Sequence, residues 1–217
     1  MTTERCEKIN PFIVMDVLEK ANEMEHQGTN VIHLEVGEPD FDTPVSVKEA
    51  LCQALNDGHT HYTHSLGMLT LRKAIAAHYQ TTYAVTVDPG QIVVTAGTSP
   101  AMLLAFSAFL ESGDEVILSD PCYACYPNFI HFLDGIPVRV PVSEADGFQY
   151  RPDMIAEKIT SQTKAILINS PANPTGNLLS TKRMQAIADL GPLVVSDEIY
   201  HGLVYEGRER SILEFTD

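Results

Sequence analysis

KAILINSPANPTG, residues 164–176, joins two unlike kinds of sequence. Ala165, Ile166, Leu167 and Ile168 form an unbroken apolar run, and the residues after it are small, polar or Pro. A strand that is apolar at successive positions, not at alternate ones, is covered on both faces, as in parallel sheets packed between helices. Pro171, Pro174 and Gly176 then stiffen the loop that follows, which fixes the Asn173 amide near the end of the strand. QIVVT (91–95), EVILS (115–119) and LVVS (193–196) are runs of the same kind.

Helical spacing of apolar residues fills the gaps between these runs. Helices are expected at 46–57 (ending at Gly58), 69–80, 99–110, near 123–133, 152–160 and 181–190. Strands are expected at 91–95, 115–119, 136–140, 164–169 and 193–197. Upstream, 11–27 reads as a helix, and VIHLEVGEPDFDTP (31–44) as a short strand followed by a Pro-rich loop. The fold class is therefore α/β, a mostly parallel sheet with helices on both faces. Residues 1–42 are read as an N-terminal arm and small-domain segment, and 43–217 as the large domain.

The polar residues collect at one end of this scheme. TAGTS, SDPCY, NSPANPTG and SDEIY each follow a strand, and open α/β sheets bind ligands at the C-terminal ends of their strands. TAGTSPAM (95–102) leads into a helix whose first N–H groups, with the Thr98 and Ser99 hydroxyls, suit a phosphate, although Ser and Thr also cap ordinary helices. It is neither a Walker loop nor GxGxxG. Tyr123, just past a strand end, is suited to stacking on a flat ring. Cys122 and Cys125 flank it in CxxC spacing, but with no second CxxC they read as packing residues. HTHYTH (59–64) has no nearby carboxylate to complete a metal site and reads as an exposed loop.

In VVSDEIYHG (194–202), an apolar strand ends on two acids. Successive side chains of an extended chain point to opposite faces, so Asp197 and Glu198 do not act as a pair on one substrate. Asp197 at a buried strand end carries a desolvation cost that a cation would offset, and the stretch supplies no Lys or Arg before Arg208. Glu198, on the other face, reads as structural.

The chain has 217 residues, 44% hydrophobic and 20% charged, with a formal charge of -15. Nucleic acid and acidic membrane surfaces both require clustered positive charge, so a small-molecule partner is expected. The charged N-terminus is unlike a signal peptide, and AMLLAFSAFL (101–110) is too short to span a bilayer. Four irregularly spaced cysteines fit a reducing compartment, and a cytoplasmic location is expected.

GEPDFDTP (37–44), YTHSLGMLTLRKAIA (62–76), DPCYACYP (120–127), NSPANPTG and SDEIYHGLVY (196–205), in this order, resemble the class I/II pyridoxal-phosphate-dependent aminotransferases of the aspartate aminotransferase fold. The resemblance runs over essentially the whole chain. It implies a cofactor, pyridoxal 5'-phosphate, with amino acid and 2-oxo acid substrates, and it supplies the cation: Asp197 would pair with the protonated pyridine nitrogen. It further implies that Gly97, Thr98 and Ser99 hold the cofactor phosphate and that Tyr123 stacks on the ring. Asn173 and Tyr200 would bind the phenolic oxygen, and the backbone at Gly37 would approach the substrate carboxylate. Tyr62 would reach the phosphate held by the neighbouring subunit, which implies a homodimer with shared active sites.

The family's Schiff-base lysine lies in an S-x-x-K motif after SDEIY, beyond Asp217. All seven lysines, at 8, 20, 48, 73, 158, 164 and 182, precede SDEIY, and the S-x-x-K spacing of Ser161 and Lys164 lies ahead of that motif, not after it. The chain is thus expected to be a fragment with no transaminase activity alone, so no catalytic residue is named. Two alternatives are a carbon-sulfur or aminocyclopropane-carboxylate-synthase-like lyase, whose members commonly read SDEIH or NPLG, and a non-enzymatic cofactor-sensing or dimerisation module.

Overall fold

The computed structural model describes residues 3–39 and 41–216. Pro11–Ser65 form one compact unit; the described residues before Pro11 and from Leu66 onward form another.

The Pro11–Ser65 unit holds helices α2 (Ile13–His26) and α3 (Val45–Asn56). Gly58, at φ 79°, follows the end of α3 in the left-handed conformation that glycine adopts without a Cβ penalty. The strand expected within residues 31–36 does not form, and Ile32 and Leu34 are exposed. Among the described residues no neighbouring strand supplies the ladder bonds that a strand needs. His33 instead bridges Glu25 and Glu35, which raises its pKa.

In the larger unit, α1 (Glu4–Lys8) precedes α4 (Leu69–Tyr83), α5 (Thr98–Phe109), β1 (Glu115–Asp120), α6 (Tyr126–Phe132), β2 (Ile136–Pro141), α7 (Pro152–Ala156), β3 (Thr163–Asn169), α8 (Thr181–Ala188) and β4 (Leu193–Asp197). The four strands pair in parallel in the order β2-β1-β3-β4. Their alternation divides the core in two. Val116, Leu118, Ala165 and Leu167 pack with Met102 and Phe106 of α5 and with Tyr126 and Ile130 of α6. Ile117, Ile166 and Ile168 face the opposite way, onto Ile155 of α7, Met184 and Ile187 of α8, and Ile212. Both faces of the central strands β1 and β3 are covered, which is why those two are apolar at successive buried positions.

The run at 91–95 departs from expectation. It is not a strand: Gln91 and Ile92 N–H bond back to Asp88 O and Pro89 O at 2.8 and 3.4 Å, and Val94 N–H reaches Leu66 O at 3.0 Å. An apolar run becomes a strand only beside a ladder partner, and none pairs with it among the described residues. The helix expected over 152–160 ends at Ala156. At the N-terminus, α1 rests on α6 through the ion pair of Arg5 with Asp134, 2.7 Å, and Arg5 stands over the Phe132 ring. Among the described residues no helix is long and apolar enough to cross a membrane.

Candidate active site

The chain leaves β1 and moves to β2 on one side, then returns to β3 on the other, so the order of strands reverses between β1 and β3. Loops diverging from such a point open a crevice at the C-terminal ends of the strands. DPCY follows β1, NSPANPTG follows β3, and EIYHG follows β4.

Asp197 is the last residue of β4 and is 7% exposed. Its Oδ2 accepts a hydrogen bond from the Tyr126 hydroxyl at 2.7 Å, and its Oδ1 accepts from Ile199 N–H at 3.1 Å. No Lys or Arg forms an ion pair with it among the described residues. Two neutral donors offset part of the desolvation cost of a buried carboxylate, and a positive charge beside it would offset more. Glu198 turns the other way, accepting from Ile212 N–H at 2.8 Å and Ser211 Oγ at 3.2 Å, and so pins the 211–214 turn beneath the strand.

Around Asp197, the residues Tyr123, Asn173 and Tyr200 are joined through shared neighbours. The Tyr123 ring meets Tyr126 edge-on, with centroids 5.3 Å apart. Burial first, then Cys125, Tyr200 and Asp197, push the Tyr123 hydroxyl up to about 12. Asn169, at the end of β3, donates to the Asp197 backbone carbonyl at 2.9 Å and accepts from Asn173 N–H at 2.6 Å. That places the Asn173 side chain 3.2 Å from the Tyr200 hydroxyl, to which it donates. One connected set thus links Tyr123, Tyr126, Asp197, Asn169, Asn173 and Tyr200.

Gly97 caps the N-terminus of α5 at φ 111°, in backbone space that a side chain resists, and nothing stands within 4 Å of where its Cβ would be. No side chain caps the helix, so the first N–H groups and the Thr98 and Ser99 side chains can meet an anion. Gly37 and Tyr62 belong to the Pro11–Ser65 unit. Open space surrounds Gly37, and the Tyr62 side chain is fully exposed.

Three contributors were not singled out from the sequence. Tyr126 is one; its position on the buried face of α6 carries no signal beyond that of a core aromatic. Asn169 is another, since the last residue of a strand gives no sign of where its amide points. The third is His201. Its Nε2 lies 3.0 Å from the Ser170 carbonyl, which can only accept, so Nε2 carries the proton and Nδ1 accepts from the Tyr83 hydroxyl at 2.6 Å. That bridge ties the 197–201 segment to α4 and to the loop bearing Asn173. Burial, then Glu198, raise the Tyr83 hydroxyl to about 12, in keeping with its role as donor.

The cysteines are all free, and burial raises the Cys122 thiol to about 11, away from reactive thiolate chemistry. No group of three or more His, Cys, Asp or Glu side chains suited to a metal occurs among the described residues.

Comparison with known proteins accords with this arrangement. The family model for aminotransferase class I and II matches residues 29–215. The chain is 40% identical over 217 residues to a (5-formylfuran-3-yl)methyl phosphate transaminase of Methanocaldococcus jannaschii, covering all of this chain and 56% of the relative. It is 41% identical over 205 residues to a probable aspartate/prephenate aminotransferase of Aquifex aeolicus, covering 93% and 52%. An aspartate aminotransferase from Thermus thermophilus, solved with maleate, superimposes with a TM-score of 0.96 at 37% identity, over 99% of this chain and 57% of that one. The chain spans about half the length of these relatives. With the match running through every loop of the site, the chain belongs to the class I and II aminotransferase family.

Proposed function

We propose that this chain forms the cofactor-holding part of a pyridoxal 5'-phosphate-dependent aminotransferase that moves an amino group between an amino acid and a 2-oxo acid. The observation that carries the reading is Asp197, a buried carboxylate with two neutral donors and no cationic partner among the described residues. The residues present fit the cofactor: a carboxylate for a pyridinium, an aromatic face at Tyr123, a pair of phenol-directed donors at Asn173 and Tyr200, and an uncapped helix start for a phosphate. When bound, the cofactor supplies an electron-accepting ring that stabilises the charge left on a substrate carbon after proton loss.

In this reading Asp197 holds the proton on the ring nitrogen, and Tyr126 with the Ile199 N–H keeps the carboxylate aimed. Tyr123 covers one ring face, and Gly97, Thr98 and Ser99 bind the phosphate. Gly37 lies by the substrate carboxylate. Tyr62, fully exposed here, reaches the phosphate bound by a second copy in a homodimer. Among the described residues no lysine is bonded to the Asp197 cluster: Lys164, for example, pairs with Asp114 at the opposite end of the sheet. Residues 1–217 alone are therefore proposed to bind the cofactor without covalent attachment and to lack transaminase activity.

Titrating the chain with pyridoxal phosphate, followed by cofactor fluorescence, tests the cradle. Loss of one charge-assisted hydrogen bond, about 1.5–3 kcal/mol, corresponds to roughly 10- to 100-fold weaker binding for Asp197→Asn. Equal affinity of the two proteins would overturn the assignment of Asp197. Borohydride reduction and mass spectrometry test the second point, and a stable adduct on one specific lysine would refute non-covalent binding.

A further inference from the structure

We propose that the structure contains a buried water site behind the ends of β1 and β3, on the face of the sheet opposite Tyr126, which ties the β1 end to Tyr150 in the segment that Asn177 holds. Tyr150 is buried in the core formed with α7 and α8, yet its hydroxyl makes no hydrogen bond. Burial raises its pKa well above the ordinary phenol range, so the group stays a neutral O–H that needs a partner. The Ser119 hydroxyl is near enough to favour the ionised phenol, without a hydrogen bond of good geometry between the two.

The space around them is shaped for a small polar guest. A cavity of about 30 Å³ is lined by Ser119, Tyr150, Asn169, Thr175 and Asn177, with apolar side chains completing the wall. One water needs roughly 10–15 Å³ measured in this way and two to four polar partners, so one or two waters fit. The lining asparagines already brace the loop: Asn169 Oδ1 accepts from Asn173 N–H, and the Asn177 amide donates to the Phe148 carbonyl while the Asn177 backbone carbonyl accepts from Ala172 N–H. A water bonded to Tyr150 and Ser119 adds a link from the β1 end to the 148–150 segment, which Asn177 already joins to the loop bearing Asn173, near the point where strand order reverses.

Tyr150→Phe decides between a wet and a dry cavity by the sign of its effect. Removing a hydroxyl that binds a trapped water lowers the melting temperature, by about 2–4 °C for a chain of this size. Removing an unsatisfied hydroxyl from a dry cavity raises it, and a rise overturns the proposal. Ser119→Ala supplies the second arm. If both hydroxyls hold one water, the double variant loses less than the sum of the single losses, whereas full additivity refutes a shared water. A crystal structure of the chain should show density within hydrogen-bond distance of Tyr150 Oη and Ser119 Oγ; a direct bond between those oxygens in a closed cavity would refute it too.

Discussion

Tyr126→Phe isolates the contact that positions Asp197. The phenol is 2% exposed and its hydroxyl lies 2.7 Å from Asp197 Oδ2, so deletion leaves a buried carboxylate oxygen without its donor and without ready access to water. A hydrogen bond to a charged group contributes about 1.5–3 kcal/mol, and the phenyl ring that remains keeps the packing against Met102, Phe106 and Ile130 nearly intact. The expected loss is about 2 kcal/mol of folding stability, a large share of the roughly 5–15 kcal/mol typical of a domain. At roughly 2–4 °C per kcal/mol it lowers the melting temperature by about 4–8 °C. Urea unfolding of the wild type, Tyr126→Phe, Asp197→Asn and the double variant, monitored by circular dichroism, gives the coupling between the two side chains. A coupling of at least about 1 kcal/mol is expected, with unchanged m-values. Coupling indistinguishable from zero, with both single variants destabilised, would show that Tyr126 serves the core and not the carboxylate.

Two further outcomes follow from other parts of the fold. Gly67 sits at φ 90°, and an added Cβ would lie 2.6 Å from Val94 Cβ, so Gly67→Ala should cost about 2–4 kcal/mol. Gly58→Ala, at φ 79° with open space around it, should cost only about 1 kcal/mol; equal losses in denaturant unfolding would refute the close-approach argument. The second outcome is alkaline sensitivity. Tyr126 and Tyr150 have folded-state pKa values raised by burial, so below pH about 10 both states keep the proton and stability is at its full value. Above that pH the unfolded chain loses the proton first, and stability falls by about 1.4 kcal/mol per pH unit for each such tyrosine as pH rises towards the folded pKa. Melting temperatures from pH 8 to 11.5 should be flat and then drop, less steeply in Tyr126→Phe, and identical slopes in the two proteins would contradict the assignment.

How much of this was legible in the sequence depends on how local the cause is. EVILS, KAILIN and LVVS declare buried strands because coverage on both faces acts on each residue separately. QIVVT satisfies the same rule and still forms no strand, because a ladder requires a partner that residue type cannot announce. The same limit explains VIHLEV. Within the site, the alternation of Asp197 and Glu198 follows from backbone geometry alone, and the side chains do turn to opposite faces, onto Tyr126 and onto the 211–212 turn. Tyr126, Asn169 and His201 escaped notice because their roles lie in partners 71, 28 and 31 positions away in the chain.

Those distant partners account for how a site at loop ends stays ordered. Asn173 reaches Tyr200 only because Asn169, itself on a strand, holds the Asn173 backbone, while His201 ties the residue after Tyr200 to the Ser170 carbonyl. Both members of the pair are therefore anchored through a neighbour in the chain, and neither position depends on a ligand. The direction of their bond matters as well. Asn173 donates to the Tyr200 oxygen, which leaves the Tyr200 O–H and the second Asn173 N–H as two further donors of the pair. A guest oxygen entering between them would gain two hydrogen bonds without either side chain giving up its anchor, so little ordering cost would fall on binding. A substitution at His201 or Asn169 should accordingly act on this pair from a distance, by loosening the anchors that hold its donors in place.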